Sequence, residues 1–285
     1  MVKIISDSTC DLPPGILEEL NITLSPLCIS VSGDMEQYRD GVDITPADVF
    51  RLSEEENRRC TTSAVNAYDY RRLFEEYAPK YDAVVQICLS GQLSACYGAA
   101  IEAAKDFGNV YITDSRSLSA GSGYLVHDAA LMAAAGASAR EICDMIENDA
   151  HYIDTSFVID RMDYLHRGGR CSGLEVIGAR LLGIKPCIEV CGGLMRVGKK
   201  YRGKFGTCLS AYVKDRLADR DDIDTKRVFI THSMCAPETV ETVRALIAEH
   251  AGFERVIETR AGCTVSAHCG PNTLGILFKR KTKVT

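Results

Sequence analysis

Residues 83–105 read AVVQICLSGQLSACYGAAIEAAK. The first seven, Ala83 to Leu89, form an uncharged, largely apolar run, which suits a strand buried on both faces. The run stops at Ser90-Gly91-Gln92-Leu93-Ser94, and an alanine-rich helix continues to Lys105. Strand, polar loop and helix in succession form the repeating unit of α/β architecture. The alternation recurs on both sides. Val2 to Ser6 is a short strand, followed by Asp7-Ser8-Thr9 and a helix opened by Pro13-Pro14 that runs through Leu20. Ile22 to Val31 reads as one strand. Thr45 caps a helix carrying Val49, Phe50 and Leu52, and the polar loop Cys60-Thr61-Thr62-Ser63 precedes a helix over Tyr68 to Tyr77. Val110 to Thr113 is a strand ending in Asp114-Ser115. Gly121 to Ala135 is helical, and Ser138 caps a further helix that reaches about Asn148.

The strand pattern restarts at Thr155, so a domain limit is expected at His151 to Asp154, dividing the chain into residues 1–154 and 155–285. The second part opens with Thr155 to Ile159 and a glycine-rich basic loop, His166 to Arg170. A helix near Val176 to Leu182, a strand over Ile184 to Val190 and a hairpin turn at Gly192-Gly193 follow. Phe205 to Leu217 and Pro237 to His250 are helices; Arg227 to Thr231, Arg255 to Thr259 and Leu274 to Phe278 are strands. The expected fold is two-domain α/β, with a Rossmann-like parallel sheet first and a mixed sheet second. No repeat or low-complexity tract interrupts the chain.

The 285 residues are 46% hydrophobic and 25% charged, with a net charge of −6. That balance is ordinary for a globular protein and argues against general nucleic-acid binding. No apolar run reaches the length of a membrane span, and MVKIISDSTCDL lacks the features of a signal peptide. A cytoplasmic location is the expectation. The thirteen cysteines include no C-x-x-C pair, so they read as small buried hydrophobes in a reducing compartment rather than as metal ligands. Cys96 and Cys269 stand close enough to other polar residues to be considered as thiols with a function. From Arg161 to Lys204 there are ten Lys or Arg and three Asp or Glu. This basic sector reads either as a surface for an anionic partner or as a solvated, screened face.

Several hydroxyl-bearing loops follow strands, and in open α/β sheets ligands gather at those carboxyl ends. Ser94 stands at or near a helix N-terminus, where free N–H groups and the helix dipole favour an anion; simple capping is the alternative. Thr62 and Ser63 form a similar pair. His268 lies at the mouth of the tight turn Cys269-Gly270-Pro271-Asn272, ahead of the apolar strand. There its ring is free to face a cavity as donor or cation, or to be satisfied by local backbone. Arg170, beside Gly168-Gly169, has the fork geometry for a carboxylate or phosphate. The chain has no G-x-x-x-x-G-K-[ST] phosphate loop, no G-x-S-x-G elbow and no H-E-x-x-H metal motif.

With these residues the sequence resembles the DegV family of bacterial fatty-acid-binding proteins. The resemblance runs through SDSTCDL (Ser6 to Leu12), Thr62-Ser63, LSGQLSACY (Leu89 to Tyr97), TDSRSLSAGSG (Thr113 to Gly123), YLHRGGR (Tyr164 to Arg170), IGARLLGIKPCIEV (Ile177 to Val190), KKYRG (Lys199 to Gly203) and AHCGPNTLGILF. It implies two α/β domains around one long-chain fatty acid. The carboxylate would sit near the hydroxyls of Thr62 and Ser94 and the ring of His268, with Ser63 and Ser90 close by. The resemblance further implies a carrier without a cofactor or turnover of its own; no stable membrane insertion is expected, and the chain is expected to be a monomer. Such a carrier presents the carboxylate to a separate ATP-dependent fatty acid kinase subunit, which forms an acyl-phosphate. Arg170 and Arg202 match basic positions facing that partner or the phosphate. The chain departs from the family where Thr-Ser-Gln-Pro becomes Thr62-Ser63-Ala64-Val65 and Ser-Gly-Thr-Tyr becomes Ser94-Ala95-Cys96-Tyr97, which bears on pocket shape. The competing expectation is a serine esterase or acyl transferase using Ser94 and His268; the missing elbow weighs against it.

Overall fold

In a computed structural model, which describes residues 1–172 and 183–284, the first half of the chain contributes seven strands. They are β1 (Val2–Asp7), β2 (Thr23–Ser25), β3 (Cys28–Val31), β4 (Gln37–Arg39), β5 (Cys60–Ser63), β6 (Ala83–Cys88) and β7 (Val110–Asp114). Its helices are α1 (Pro14–Glu19), α2 (Pro46–Glu54), α3 (Ala67–Tyr77), α4 (Cys96–Ala104), α5 (Ser119–Ala134) and α6 (Ala139–Asp149). One sheet has the order β2-β1-β6-β7, and all its pairings are parallel. Every residue of β6 is buried, as expected for a strand covered on both sides. Val85 and Ile87 meet Tyr124, Leu125, Ile142 and Ile146 of α5 and α6, whereas Cys88 joins Tyr70, Phe74 and Ala100 of α3 and α4.

The second half contributes β8 (Ile153–Val158), α7 (Met162–Gly168), β9 (Cys171–Ser172), β10 (Ile184–Cys191), β11 (Leu194–Arg202), α8 (Phe205–Leu217), β12 (Ile223–Ser233), α9 (Pro237–His250), β13 (Arg255–Arg260), α10 (Cys263–Cys269) and β14 (Thr273–Arg280). Its seven strands among the described residues form one mixed sheet in the order β13-β12-β14-β8-β10-β11-β9. The two α/β layers expected from sequence are both present.

Four local expectations change. Ile22 to Val31 is not one strand: β2 and β3 flank Pro26, which has no N–H for the ladder, and they join different sheets. The polar loop Cys60 to Ser63 is β5, the edge of a three-stranded sheet ordered β4-β3-β5, with Thr62 opposite Ile29. The basic loop at His166 begins inside α7, and its left-handed turn is Gly169 at φ 64°. His268 lies in the last turn of α10, not at the mouth of a turn; the turn begins after it, at Gly270. The expected helix near Val176 to Leu182 falls outside the described residues. β8 already begins at Ile153, which pairs with Lys279, so the second sheet starts two residues before the expected strand start at Thr155.

Helix α5 lies between the two large sheets. It shares one apolar core with Ile4 and Val85 on one side and Ile153, Phe229 and Leu277 on the other. Its glycines allow the close approach: a methyl at Gly123 would fall on the carbonyl oxygen of Cys10, and one at Gly121 on the hydroxyl of Thr155. A second tie comes from α10. Gly262 N–H donates to Asp11 Oδ1 (2.8 Å), Cys263 N–H to Asp40 Oδ1 (2.8 Å) and Thr264 N–H to Asp40 Oδ2 (3.1 Å). Two aspartates from the first half therefore cap a helix of the second half, satisfying its free N–H groups, and the charge of Asp40 opposes its dipole. Among the described residues, no helix is long and apolar enough to cross a membrane.

Candidate functional site

A cavity of about 200 Å³ opens where β1, β5 and β6 end, beneath α10. The first half lines it with Thr9, Leu27, Thr62, Ser63, Ala64, Leu89, Leu93, Ser94, Ala95 and Leu118; the second half adds Arg170, Met195, Thr264, Val265, His268 and Cys269. Apolar side chains thus surround a few hydroxyls and one imidazole, the composition expected of a site for an amphiphilic ligand.

The polar end is built by three elements. Strand β5 presents Thr62, whose Oγ1 stands 2.8 Å from His268 Nε2. The short helix α10 holds His268, with Thr264 one turn earlier on the same face. The loop from β6 carries Ser94, whose hydroxyl accepts from Cys96 N–H at 3.3 Å. Helix α4 has Ala95 at its N-cap and no side-chain cap, so the dipole end beside the cavity is not closed by a carboxylate. Thr62, Ser63, Ser94 and His268, four of the five residues expected together from sequence, line this one cavity, and so does Arg170, expected at a partner or phosphate contact. So do Ala64 and Ala95, two of the departures from the family pattern.

Burial, reinforced by the positive charge of Arg170, pushes His268 down to about 4. The ring is therefore neutral at physiological pH, and the expectation of a cation there is replaced by that of a neutral donor. Gly168 closes over it: a side chain at that position would fall on Nδ1. Among the described residues, Nδ1 has no hydrogen-bond partner, and neither do the hydroxyls of Thr9 and Thr264, which also line the cavity. Buried polar atoms are normally paired, and these three unpaired ones belong to residues around one cavity. Thr264 was not singled out from sequence; its signal, the i to i+4 spacing from His268, is visible only once α10 is recognised as a helix.

Ser90 and Arg202 lie elsewhere. Ser90 is fully buried, donates to the carbonyl of Gly193 at 2.7 Å and does not line this cavity. It ties the β6 loop to the β10–β11 hairpin, whose turn uses Gly192 and Gly193 at φ 59° and 87°. Arg202 is exposed at the end of β11, away from the cavity wall. Much of the basic sector is neutralised: Arg161 and Arg167 pair with Asp163, Lys185 with Asp160, and Lys199 with Asp215. Arg170, Lys200, Arg202 and Lys204 have no carboxylate partner among the described residues.

Among the described residues the arrangement does not assemble a nucleophile: His268 Nε2 is engaged by Thr62 rather than Ser94, and none of their carboxylates bonds to Nδ1. The thiols of Cys96 and Cys269 are pushed up by burial, to about 11 and about 12, and are protonated. Among the described residues, no cluster of acidic, histidine and cysteine side chains could hold a metal ion.

A smaller cavity of about 20 Å³ adjoins the first and shares Leu118, Val265 and Cys269 with it. Phe157 and Leu277 lie deeper. The hydroxyls on its wall are occupied: Thr231 with Thr259 (2.7 Å), Ser233 with Ser266 (3.1 Å), Thr155 with Ser117 (2.9 Å) and Thr273 with the Cys269 carbonyl (2.8 Å). Their carbon atoms are left to form an apolar lining.

Residues 1–281 match the family profile described as "Uncharacterised protein, DegV family". A DegV domain-containing protein of Caldanaerobacter subterraneus is 31% identical over 284 residues, covering 98% of this chain and 99% of the relative. One from Clostridium acetobutylicum is 30% identical over 285 residues, again covering 98% and 99%. Among solved structures, a fatty-acid-binding DegV family protein from Thermus thermophilus superposes with a TM-score of 0.87 at 25% identity, covering 98% of this chain and 99% of that one. A stearic acid-binding protein from Eubacterium ventriosum gives 0.82 at 25% identity, covering 99% of both chains.

Proposed function

This chain belongs to the DegV family, and from that premise we propose that it binds one long-chain fatty acid and presents the carboxylate to a separate ATP-dependent kinase. The supporting observation is the meeting of Thr62, Ser94 and His268 at one end of a cavity that is otherwise apolar. Burying an acyl chain yields about 0.8 kcal/mol per CH₂, so the tail supplies most of the affinity. An acid head is buried only where donors meet it. The hydroxyls of Thr62, Ser63 and Ser94 serve as those donors, with the neutral ring of His268 and the open end of α4. The tail runs past Leu118, Val265 and Cys269 toward Phe157 and Leu277, between α5 and α10. We read residues 1–154 and 155–285 as the two lobes that close on it.

A carrier role accounts for a site with no assembled nucleophile. The kinase would transfer phosphate to the held carboxylate and yield an acyl-phosphate. Arg170 stands at the cavity wall and Arg202 on the exposed strand end, both without carboxylate partners, where an anionic partner surface would meet them. Lipid extraction and mass spectrometry of protein purified from a bacterial host test the reading. A long-chain fatty acid is the expected ligand. Protein that is empty and takes up neither palmitate nor oleate would overturn the assignment. Arg202→Ala is expected to leave lipid affinity unchanged and to slow acyl-phosphate formation with the kinase; a parallel loss of lipid binding would remove Arg202 from the docking surface.

A further inference from the structure

The imidazole of His268 is held from two sides. On one, Nε2 stands 2.8 Å from Thr62 Oγ1, a hydrogen bond that a ring carbon could not make and that fixes which ring atom is which. On the other lies Gly168, at the end of α7. A Cβ built on Gly168 would stand 2.3 Å from Nδ1 and 3.3 Å from each of the ring carbons Cγ and Cε1.

The equal distances to the two flanking carbons put that point on the outward axis of Nδ1. Their size puts it in the ring plane, because a point above the ring at the same distance from Nδ1 would lie much closer to both carbons. A glycine carries a hydrogen in the direction of the missing Cβ. The Gly168 Cα–H bond is thus aimed along the line on which Nδ1 keeps either its lone pair or its proton. A proton on Nδ1 would meet that hydrogen head-on and, among the described residues, would find no acceptor. The Gly168 carbonyl is already taken: it accepts from Arg170 Nη1 at 2.7 Å. Buried donors without an acceptor are rare, whereas a lone pair on Nδ1 can receive the weak C–H contact. The same contact disfavours the imidazolium, which needs a proton on both nitrogens. The single ring proton is left to Nε2, where Thr62 Oγ1 accepts it. The Thr62 hydroxyl makes no other hydrogen bond among the described residues, so its own proton is free for the cavity that it lines.

We propose that Gly168 is a positioning residue: its Cα–H bond fixes His268 in the Nε2–H form, so that the ring donates to Thr62 and the Thr62 hydroxyl donates in turn to the head of the ligand. Only the last step of this order rests on the fatty-acid reading. Any other residue at position 168 would put a carbon where that hydrogen stands.

The test uses the full chain with an NMR-active nitrogen isotope in its histidines, first stripped of lipid and then loaded with palmitate. The His268 signals are those lost in His268→Gln. In proton–nitrogen correlation spectra near neutral pH, Nδ1 is expected at the shift of a bare ring nitrogen and Nε2 at that of a protonated one, in both samples. A protonated Nδ1, two protonated nitrogens, or shifts averaged between the two forms would overturn the proposal. In Gly168→Ala the methyl displaces the ring, so the nitrogen shifts should move toward that average, and palmitate affinity should fall about tenfold. An unchanged spectrum in folded Gly168→Ala protein would count as decisively against it. A second pair of variants leaves the glycine in place. Glutamine reaches with its amide to the position of Nε2, asparagine only to that of Nδ1. His268→Gln is expected to lose about threefold in palmitate affinity and His268→Asn about thirtyfold. Equal losses would remove the Nε2 donor and the proposal with it. If the wild type binds no palmitate, the fatty-acid reading falls, and the spectrum of the lipid-free protein alone decides the role of Gly168.

Discussion

Two helices meet the cavity with their N-termini treated in opposite ways. Helix α10 is closed by Asp40 and Asp11, which accept from Gly262, Cys263 and Thr264. Helix α4 has alanine at its N-cap and no carboxylate against it. Both ends carry the same partial positive charge. In α10 that charge joins the two halves of the chain and fixes where His268 stands. In α4 it stands beside the cavity with no carboxylate cap among the described residues. On the proposed reading, equivalent backbone electrostatics serve assembly in one place and recognition in the other, and the deciding factor is whether the chain supplies its own anion.

The largest expected effect is on assembly. Asp40→Ala strips two buried N–H groups of their acceptor, each costing about 1–3 kcal/mol when left unpaired. Thermal or denaturant unfolding should show a loss of about 3 kcal/mol together with weaker lipid binding, since α10 carries His268. A fully stable Asp40→Ala protein would mean that α10 is held by its apolar contacts alone. Ser94→Ala acts on the open end. It should leave unfolding nearly unchanged and weaken fatty acid binding by about 1.5–3 kcal/mol, the value of a hydrogen bond to a charged group. Calorimetry showing equal affinities would remove Ser94 from the headgroup site. If Asp40→Ala and Ser94→Ala instead gave the same profile, the contrast between the two helices would have no energetic content.

A smaller effect separates two titrations of opposite sign. Burial pushes Asp11 up to about 8, against hydrogen bonds from Ser119 and Gly262 and with the charge of Asp40 adding to the rise. A raised folded-state value means that the native state holds the proton more tightly, so this contribution to stability is lost as pH rises from about 4 through 8. His268 is depressed to about 4. Its unfolded form takes up a proton first, so stability is lost as pH falls from about 6.5 through 4. Unfolding measured across pH should show Asp11→Asn flattening the alkaline side and His268→Gln the acid side. A curve insensitive to Asp11→Asn would mean that Asp11 is ionised in the fold.

Much of the site was legible in local pattern. Ser94 follows an apolar strand at a helix start, and Thr62-Ser63 precedes another helix, so both could be read as hydroxyls at strand or helix ends. Ser90 carried the same signal, but its hydroxyl is spent on Gly193, 103 residues away, a contact no local pattern reports. Cys60 to Ser63 read as loop because four polar residues have no alternation to display; pairing with β3 makes them a strand. Helix α10 was missed because seven residues, with no side-chain cap of their own, give little periodicity. Its caps come from positions more than 200 residues distant.

By itself the sequence determined the alternation of strands and helices, the parallel first sheet and the identity of the polar groups available to an acid head. These follow from side-chain periodicity and turn chemistry, which act over a few neighbouring residues. The tertiary structure alone decided that Asp11 and Asp40 hold α10 and that His268 is neutral and bonded to Thr62. Each depends on burial and on charges brought within a few ångströms by distant segments, and neither quantity exists until the chain has folded.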